Sequence, residues 1–278
     1  MVRTGLVLAS VAVTLAGCSS GEVADGPGDG SAGPRPPAAS ADPSPTASAT
    51  VPRRPLAGRV VVLDPGHQLG NARFRSRVDR AVDAGGLVKA CNTTGTASDD
   101  GYPEATFAWE VAVEVRRLLR RAGARVLMTR EDNSHEHWGP CIDERGRIGN
   151  PGQPGPAADV RLSIHGDGAL SPSAHGFHVI RPGRHEGWTD DIVGPSERLA
   201  LAVRDALVRA GFAPSTYRGE DGIDVRSDLG TLNHSDIPAV MAELGNMRAP
   251  ADAAAMTSVA GRQRYARALA AAVRTFLR

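Results

Sequence analysis

The chain of 278 residues carries 32 Lys and Arg against 31 Asp and Glu, a formal net charge of +1. So even a balance excludes the strong positive field by which proteins hold nucleic acid. Hydrophobic residues make up 41%, enough for a core of ordinary size, although they are unevenly spread along the chain.

Residues 1–18, MVRTGLVLASVAVTLAGC, have a basic start at Arg3, an apolar run from Gly5 to Ala16 and small residues before Cys18. This pattern predicts an export signal, too short to span a bilayer as a mature helix. Its ending, Leu15-Ala16-Gly17-Cys18, resembles the lipobox of bacterial lipoproteins. That resemblance implies lipidation of Cys18 and a membrane anchor on the outer face of the cytoplasmic membrane. An ordinary cleaved signal, leaving a secreted protein, is the alternative. Residues 19–56 are dominated by Gly, Ala, Ser, Asp and Pro and cannot bury enough apolar surface to offset their ordering entropy. A disordered tether is expected there, reaching on the order of 100 Å at about 3.1 Å per residue. Residues 57–278 are then a single folded domain, expected to be monomeric.

The domain opens with a predicted strand at Arg59–Leu63, an apolar run bounded by Gly58 and Pro65 and therefore buried on both faces. Phe107, Val111, Val115, Leu118, Leu119 and Ala122 share one face at helical spacing, and Gly123 stops that helix. Arg116, Arg117, Arg120 and Arg121 cluster on it as a solvated face. Arg125–Thr129 is a second strand, and a short helix over Ile142–Gly149 leads to a third strand in ADVRLSIH and a fourth in GFHVIRP. A helix over Leu199–Ala210, a strand in IPAVMAEL and one long Ala-rich helix from Asp252 complete the pattern. Strands alternating with helices imply an α/β fold, a mostly parallel or mixed twisted sheet with helices on both faces. Cys91 and Cys141, an even pair in an exported chain, predict a disulfide, with two separate buried thiols as the alternative.

Three strands end on polar residues that packing does not require: His67 after the first, His165 at the end of RLSIH and Glu243 at the end of VMAEL. Ligands of open α/β sheets collect outside the carboxyl ends of the strands, so all three are expected to line one crevice. Glu104 joins them because it opens the long helix after Gly101-Tyr102-Pro103, although the helix dipole alone favours a carboxylate there. Two imidazoles and a carboxylate make a zinc site with a fourth position open. Taken singly, each is as readily explained by ordinary hydrogen bonding. His135 and His137 flank Glu136 at a spacing that suits a loop, and His175, His178, His185 and His234 are expected to be polar surface or loop residues. Asp64 fits either an acceptor that orients the His67 loop or a carboxylate that stabilises the turn.

Seven segments occur in order: VVLDPGH, GYPEATF, VLMTRED, RGRIGN, VRLSIHGDG, GFHVI and IPAVMAELGNM. Together they resemble the zinc-dependent N-acetylmuramoyl-L-alanine amidases of the Amidase_3 family, across nearly the whole folded region. The resemblance implies one zinc ion per chain, held by His67, Glu104 and His165, with Glu243 as catalytic base. The implied reaction is hydrolysis of the amide between N-acetylmuramic acid and L-alanine in peptidoglycan or muropeptides, by metal-activated water that Glu243 deprotonates. Two other classes compete with it. One is a catalytically silent peptidoglycan-binding or regulatory protein, which the intact set of four residues argues against. The other is a zinc peptidase acting within the stem peptide.

The chain departs from the family pattern at Gln68-Leu69, where two glycines are usual, and in the length of the segment from Asn71 to Gly101. That loop is expected to touch substrate or restrict access, with an inert surface insertion as the alternative. A Cys91–Cys141 bridge would pin it near the third strand. Asn246, where Phe is commoner after Glu-Leu-Gly, is expected to widen or repolarise the pocket.

Overall fold

The apolar run after Gly58 forms strand β1, Val60–Pro65, with Val61, Val62 and Leu63 fully buried. A computed structural model describes this strand and the rest of residues 54–278, together with Gly33. The expected signal, Cys18 and the tether as far as residue 53, Gly33 apart, lie outside the described residues. After β1 come a 3-10 turn at Leu69–Arg73, a short helix α1 (Arg75–Val78), a hairpin of β2 (Ala81–Asp83) and β3 (Val88–Ala90), and the long helix α2 (Glu104–Arg121). Then follow β4 (Arg125–Met128), α3 (Ile142–Arg147), β5 (Val160–Asp167), β6 (His178–Pro182), α4 (Val193–Arg209) and β7 (Ile223–Arg226). The chain ends with α5 (Gly230–Asn233), β8 (Ala239–Asn246), α6 (Pro250–Thr257) and α7 (Val259–Phe276).

Six strands form one sheet in the order β4-β1-β5-β8-β6-β7. The first four run parallel, β6 is antiparallel to β8, and β7 is parallel to β6. Parallel neighbours need crossover connections, which α2 supplies between β1 and β4 and α3 between β4 and β5. The expected α/β architecture is therefore the observed one.

Residues alternate between the two faces of each strand, and the faces differ in what covers them. On one face Phe107, Val111, Val115 and Leu119 of α2 join Leu199, Val203 and Leu207 of α4 and Tyr265, Leu269 and Val273 of α7 in one continuous core. Each such side chain contributes about 1.5–3 kcal/mol by leaving water, so this layer supplies most of the stability. The other face carries two small clusters, around Ile180, Leu232 and Met241 and around Val62, Ala158 and Ile237, beneath α3, α5 and the hairpin. In place of apolar mass it holds Arg161, fully buried, whose guanidinium donates to the carbonyls of Arg145, Gly146 and Ile148.

The predicted single C-terminal helix is two helices. Ser258 is extended (φ −86°, ψ 143°) and caps α7 by accepting from the Gly261 amide. An Ala-rich run gives no warning of such a break. The β2–β3 hairpin and β7 were not predicted, because strands of three or four residues with no buried side chain leave almost no periodic signal. The hairpin occupies the middle of the long loop, and the expected Cys91–Cys141 disulfide forms directly after it.

Candidate active site

Three side chains converge at the carboxyl edge of the sheet on its thinly covered face. The first is His67, which leaves β1 through Pro65-Gly66 and adopts φ 55°, a left-handed conformation uncommon for a residue with a Cβ. Two buried arginines hold that turn. Arg145 donates through Nη2 to His67 O at 2.6 Å and through Nη1 to Pro65 O at 2.8 Å. Arg130 donates to Pro65 O at 3.1 Å and Gly66 O at 3.2 Å. Arg145 Nη1 is in turn paired with Asp64 Oδ1 at 2.6 Å, and Asp64 also accepts from the hydroxyls of Thr129 at 2.6 Å and Ser163 at 2.5 Å. Burial alone would raise the Asp64 carboxyl, but Arg145 and the two hydroxyls hold it well below the usual carboxylate range. Asp64 thus does both things expected of it as alternatives: it stabilises the turn and, through Arg145, orients His67.

Glu104 opens α2 in the favourable field of the helix N-terminus. Its Oε1 lies 3.1 Å from His67 Nε2 and 2.9 Å from His165 Nδ1, and its Oε2 accepts from the Thr96 amide at 2.9 Å. Burial opposes its charge, yet the two imidazoles hold the carboxyl far below its ordinary value. His67 Nδ1 faces Thr93 O at 3.1 Å, which leaves Nε2 as the ring atom turned to Glu104. The donor atoms of His67, Glu104 and His165 all lie within 4.8 Å of one another, the one such group of three among the described residues. Two glycines make room for it. A Cβ on Gly66 would meet the His165 ring, and one on Gly95 (φ 74°) would lie 2.7 Å from Glu104 Oε2.

Glu243 stands beside His165 across the β5–β8 pair, and His178 stands on its other side across β8–β6. Part of Glu243 opens on the cleft, but its buried Oε2 has no hydrogen-bond partner. Burial, reinforced by the charges of Glu104 and Asp167, raises this carboxyl well above its ordinary value. The four residues line a cleft of about 610 Å³, walled by Lys89, Ala90 and Asn92–Thr96 of the long loop and by Leu229–Thr231. The loop therefore does border the site, as expected.

Other expectations are corrected. His178, 3% exposed, is neither a surface nor a loop residue, and His234, in the turn after α5 and so in a loop as expected, is nonetheless buried, 6% exposed. His178 sits inside β6, while His234 Nε2 lies 3.0 Å from Asp83 O and helps pin the hairpin. His135, His137 and His175 are exposed as expected. Gln68 and Asn246 do not line the cleft. Gln68 is a buried junction that donates to Asp132 Oδ1 at 2.6 Å and accepts from the amides of Leu69 and Ser134. Asn246 donates to Ala169 O at 3.0 Å and Ala174 O at 2.7 Å, so it ties down a loop instead of reshaping the pocket. Arg130 and Arg145 were missed because an arginine in a loop or short helix reads as surface; Arg161 was missed although it stands in β5, because nothing local shows that the carbonyls of Arg145, Gly146 and Ile148 close around its guanidinium.

Residues 61–275 match the family model Amidase_3, N-acetylmuramoyl-L-alanine amidase. N-acetylmuramoyl-L-alanine amidase Rv3717 of Mycobacterium tuberculosis is 39% identical over 232 residues, 83% of this chain and 91% of that protein. The crystal structure of N-acetylmuramyl-L-alanine amidase Ami1 from Mycobacterium smegmatis aligns with TM-score 0.73 at 39% identity, over 80% of this chain and 98% of that one. The apo form of Ami1 from Mycobacterium abscessus aligns with TM-score 0.73 at 42% identity, over 80% and 100%. A match that runs from β1 to α7, with relatives this similar over almost their whole length, leaves one conclusion: the chain belongs to the Amidase_3 family of N-acetylmuramoyl-L-alanine amidases.

Proposed function

We propose that this protein is a zinc-dependent amidase of the cell envelope that cleaves the bond between N-acetylmuramic acid and L-alanine in peptidoglycan or in released muropeptides. The observation that carries the proposal is the His67–Glu104–His165 donor set beside a carboxylate whose buried oxygen lacks a partner. Two imidazoles and one carboxylate suit zinc when a fourth position serves the reaction. The orphaned Glu243 Oε2 fits the same arrangement, because such an atom is costly unless another group comes to bond it. Bound there, zinc supplies Lewis acidity to water and to the scissile carbonyl and offsets the negative field that Glu243 feels.

The chain's own residues do the rest. Glu243 takes the proton of the attacking water and delivers it to the α-amine of L-alanine as the amide breaks. Thr93 O fixes the His67 tautomer by accepting from Nδ1. Asp64, Arg145 and Arg130 hold the strained turn that presents the ring. Lys89, Ala90 and Asn92–Thr96 on one side and Leu229–Thr231 on the other flank the sugar–peptide junction. Residues 1–18 serve as the export signal with lipidation at Cys18, 19–56 as the tether and 57–278 as the catalytic domain, which puts the activity at the outer face of the cytoplasmic membrane. None of the helices among the described residues is long and apolar enough to cross a membrane.

The test is digestion of a defined disaccharide-peptide with and without a chelator, with the products weighed by mass spectrometry. Release of the intact stem peptide, lost on chelation and restored by zinc, is the expected result. Shortening of the stem peptide would point to the peptidase, and no cleavage to the binding protein. Glu243→Gln should retain stoichiometric zinc and lose turnover by about 10²–10⁴-fold; undiminished turnover would remove Glu243 from the role of base.

A further inference from the structure

The cleft occupies one end of the sheet; the opposite end gathers arginines. There the chain enters the domain: the Leu56 amide donates to Ala122 O at 2.9 Å, and Gly123 packs against Arg54 and Ala57. The Arg125 amide donates to Arg59 O at 2.8 Å. These backbone contacts bring Arg54, Arg59 and Arg125 beside Arg120 and Arg121 at the end of α2. Arg116 and Arg117 complete a shallow groove of about 510 Å³ with Arg120 and Arg121. All of these except Arg116 are exposed.

The nearby acids account for only part of this charge. Asp159 pairs with Arg59 at 2.9 Å, Glu131 with Arg116 at 3.2 Å and Glu114 with Arg117. Among the described residues no acid lies within ion-pairing distance of Arg54, Arg120, Arg121 or Arg125. Like charges one turn apart on a helix repel, so the fold itself gains nothing from this arrangement. In a chain of net charge +1, it is a local concentration that calls for an external partner.

We propose that this arginine-rich end is a docking surface for an anionic phospholipid bilayer. Guanidinium groups match the fork of phosphate oxygens, and a basic helix face is suited to a membrane surface. The point of chain entry decides the occupant. The segment that leads back to Cys18 joins the domain among these same arginines, so the expected anchor is attached to the domain at its charged surface. An anionic wall polymer would meet the same charges without any reason to coincide with that entry point. Helix α2 then sets the orientation. Glu104 is at its cleft end and Arg121 at its basic end, roughly 25 Å apart at about 1.5 Å per residue. Docking through the arginines turns the cleft away from the lipid, toward the wall.

The proposal does not depend on the amidase chemistry, and its test reads binding alone. The full chain carrying Cys18→Ser, which removes the lipidation site, is floated with vesicles containing phosphatidylglycerol and with purely phosphatidylcholine vesicles, at low and high salt. The expected result is salt-sensitive binding to the anionic vesicles only. Adding Arg120→Glu, Arg121→Glu and Arg125→Glu should weaken that binding by on the order of 100-fold, whereas Lys at the same three positions should preserve it. The melting temperature serves to show that each variant is folded. Equal binding to neutral vesicles, undiminished binding of the Glu variant, or retention on an anionic wall polymer with none on vesicles would overturn the proposal.

Discussion

Asp64 shows how much of the site rests on buried residues that hold the donor set from behind. Its carboxylate is stabilised in the folded state by Arg145, Thr129 and Ser163, so its folded pKa lies below the ordinary 3.8. The stabilisation is therefore complete above pH 3.8 and is lost as the pH falls below that value toward the folded pKa. Asp64→Asn leaves the Arg145 guanidinium buried without its counter-ion, at a cost of about 3–5 kcal/mol at neutral pH. Urea unfolding should show this loss, and the gap between variant and parent should narrow as the buffer is taken below pH 3.8. A gap that stays constant with pH would mean that Asp64 stabilises the turn by shape and not by charge. His67, Glu104, His165 and Glu243 were legible in the sequence because a polar residue at the end of an apolar strand, or at the start of an amphipathic helix, is conspicuous. Arg130 and Arg145 were not, because their burial follows from three-dimensional closure around the carbonyls of residues 65–67.

Among the elements, the long loop before Glu104 changed most between sequence and structure. It contains a hairpin that is secured on both flanks: Lys89 Nζ lies 2.6 Å from Asp228 Oδ2, and Asn233 donates to Ala84 O at 2.8 Å. The Cys91–Cys141 bridge closes a sequence separation of 50 residues. Chain-entropy reasoning gives such a closure about 4 kcal/mol, so replacing both cysteines by Ser should lower the unfolding free energy by about that much. Denaturant titration of the double variant checks it; an unmoved midpoint would mean that the ion pair and hydrogen bonds hold the loop by themselves. The strands of the main sheet were legible from their apolar runs. The hairpin was not, because its pairing depends on supports more than a hundred residues away in sequence.

For the molecule as a whole, the asymmetry of the sheet divides the labour. One face holds nearly all of the apolar mass, and the other combines buried arginines, the donor set and the cleft. Because the continuous core draws on residues from Leu56 to Leu277, a chain lacking residues 1–53 should melt at the same temperature as the full chain and hydrolyse a soluble muropeptide at the same rate. A lowered melting temperature would show that the N-terminal segment adds to the core. The sequence by itself determined the strand–helix alternation, the four polar residues that meet at the cleft and the cysteine pair, since each depends on local pattern or composition. Tertiary structure alone decided that Glu243 Oε2 has no partner, that two arginines brace a left-handed His67, and that Arg54, Arg59 and Arg125 join the arginines at the end of α2, opposite the cleft. Those features arise where segments distant in sequence meet, and burial and charge at such meetings are properties of the packed chain, not of any stretch of it.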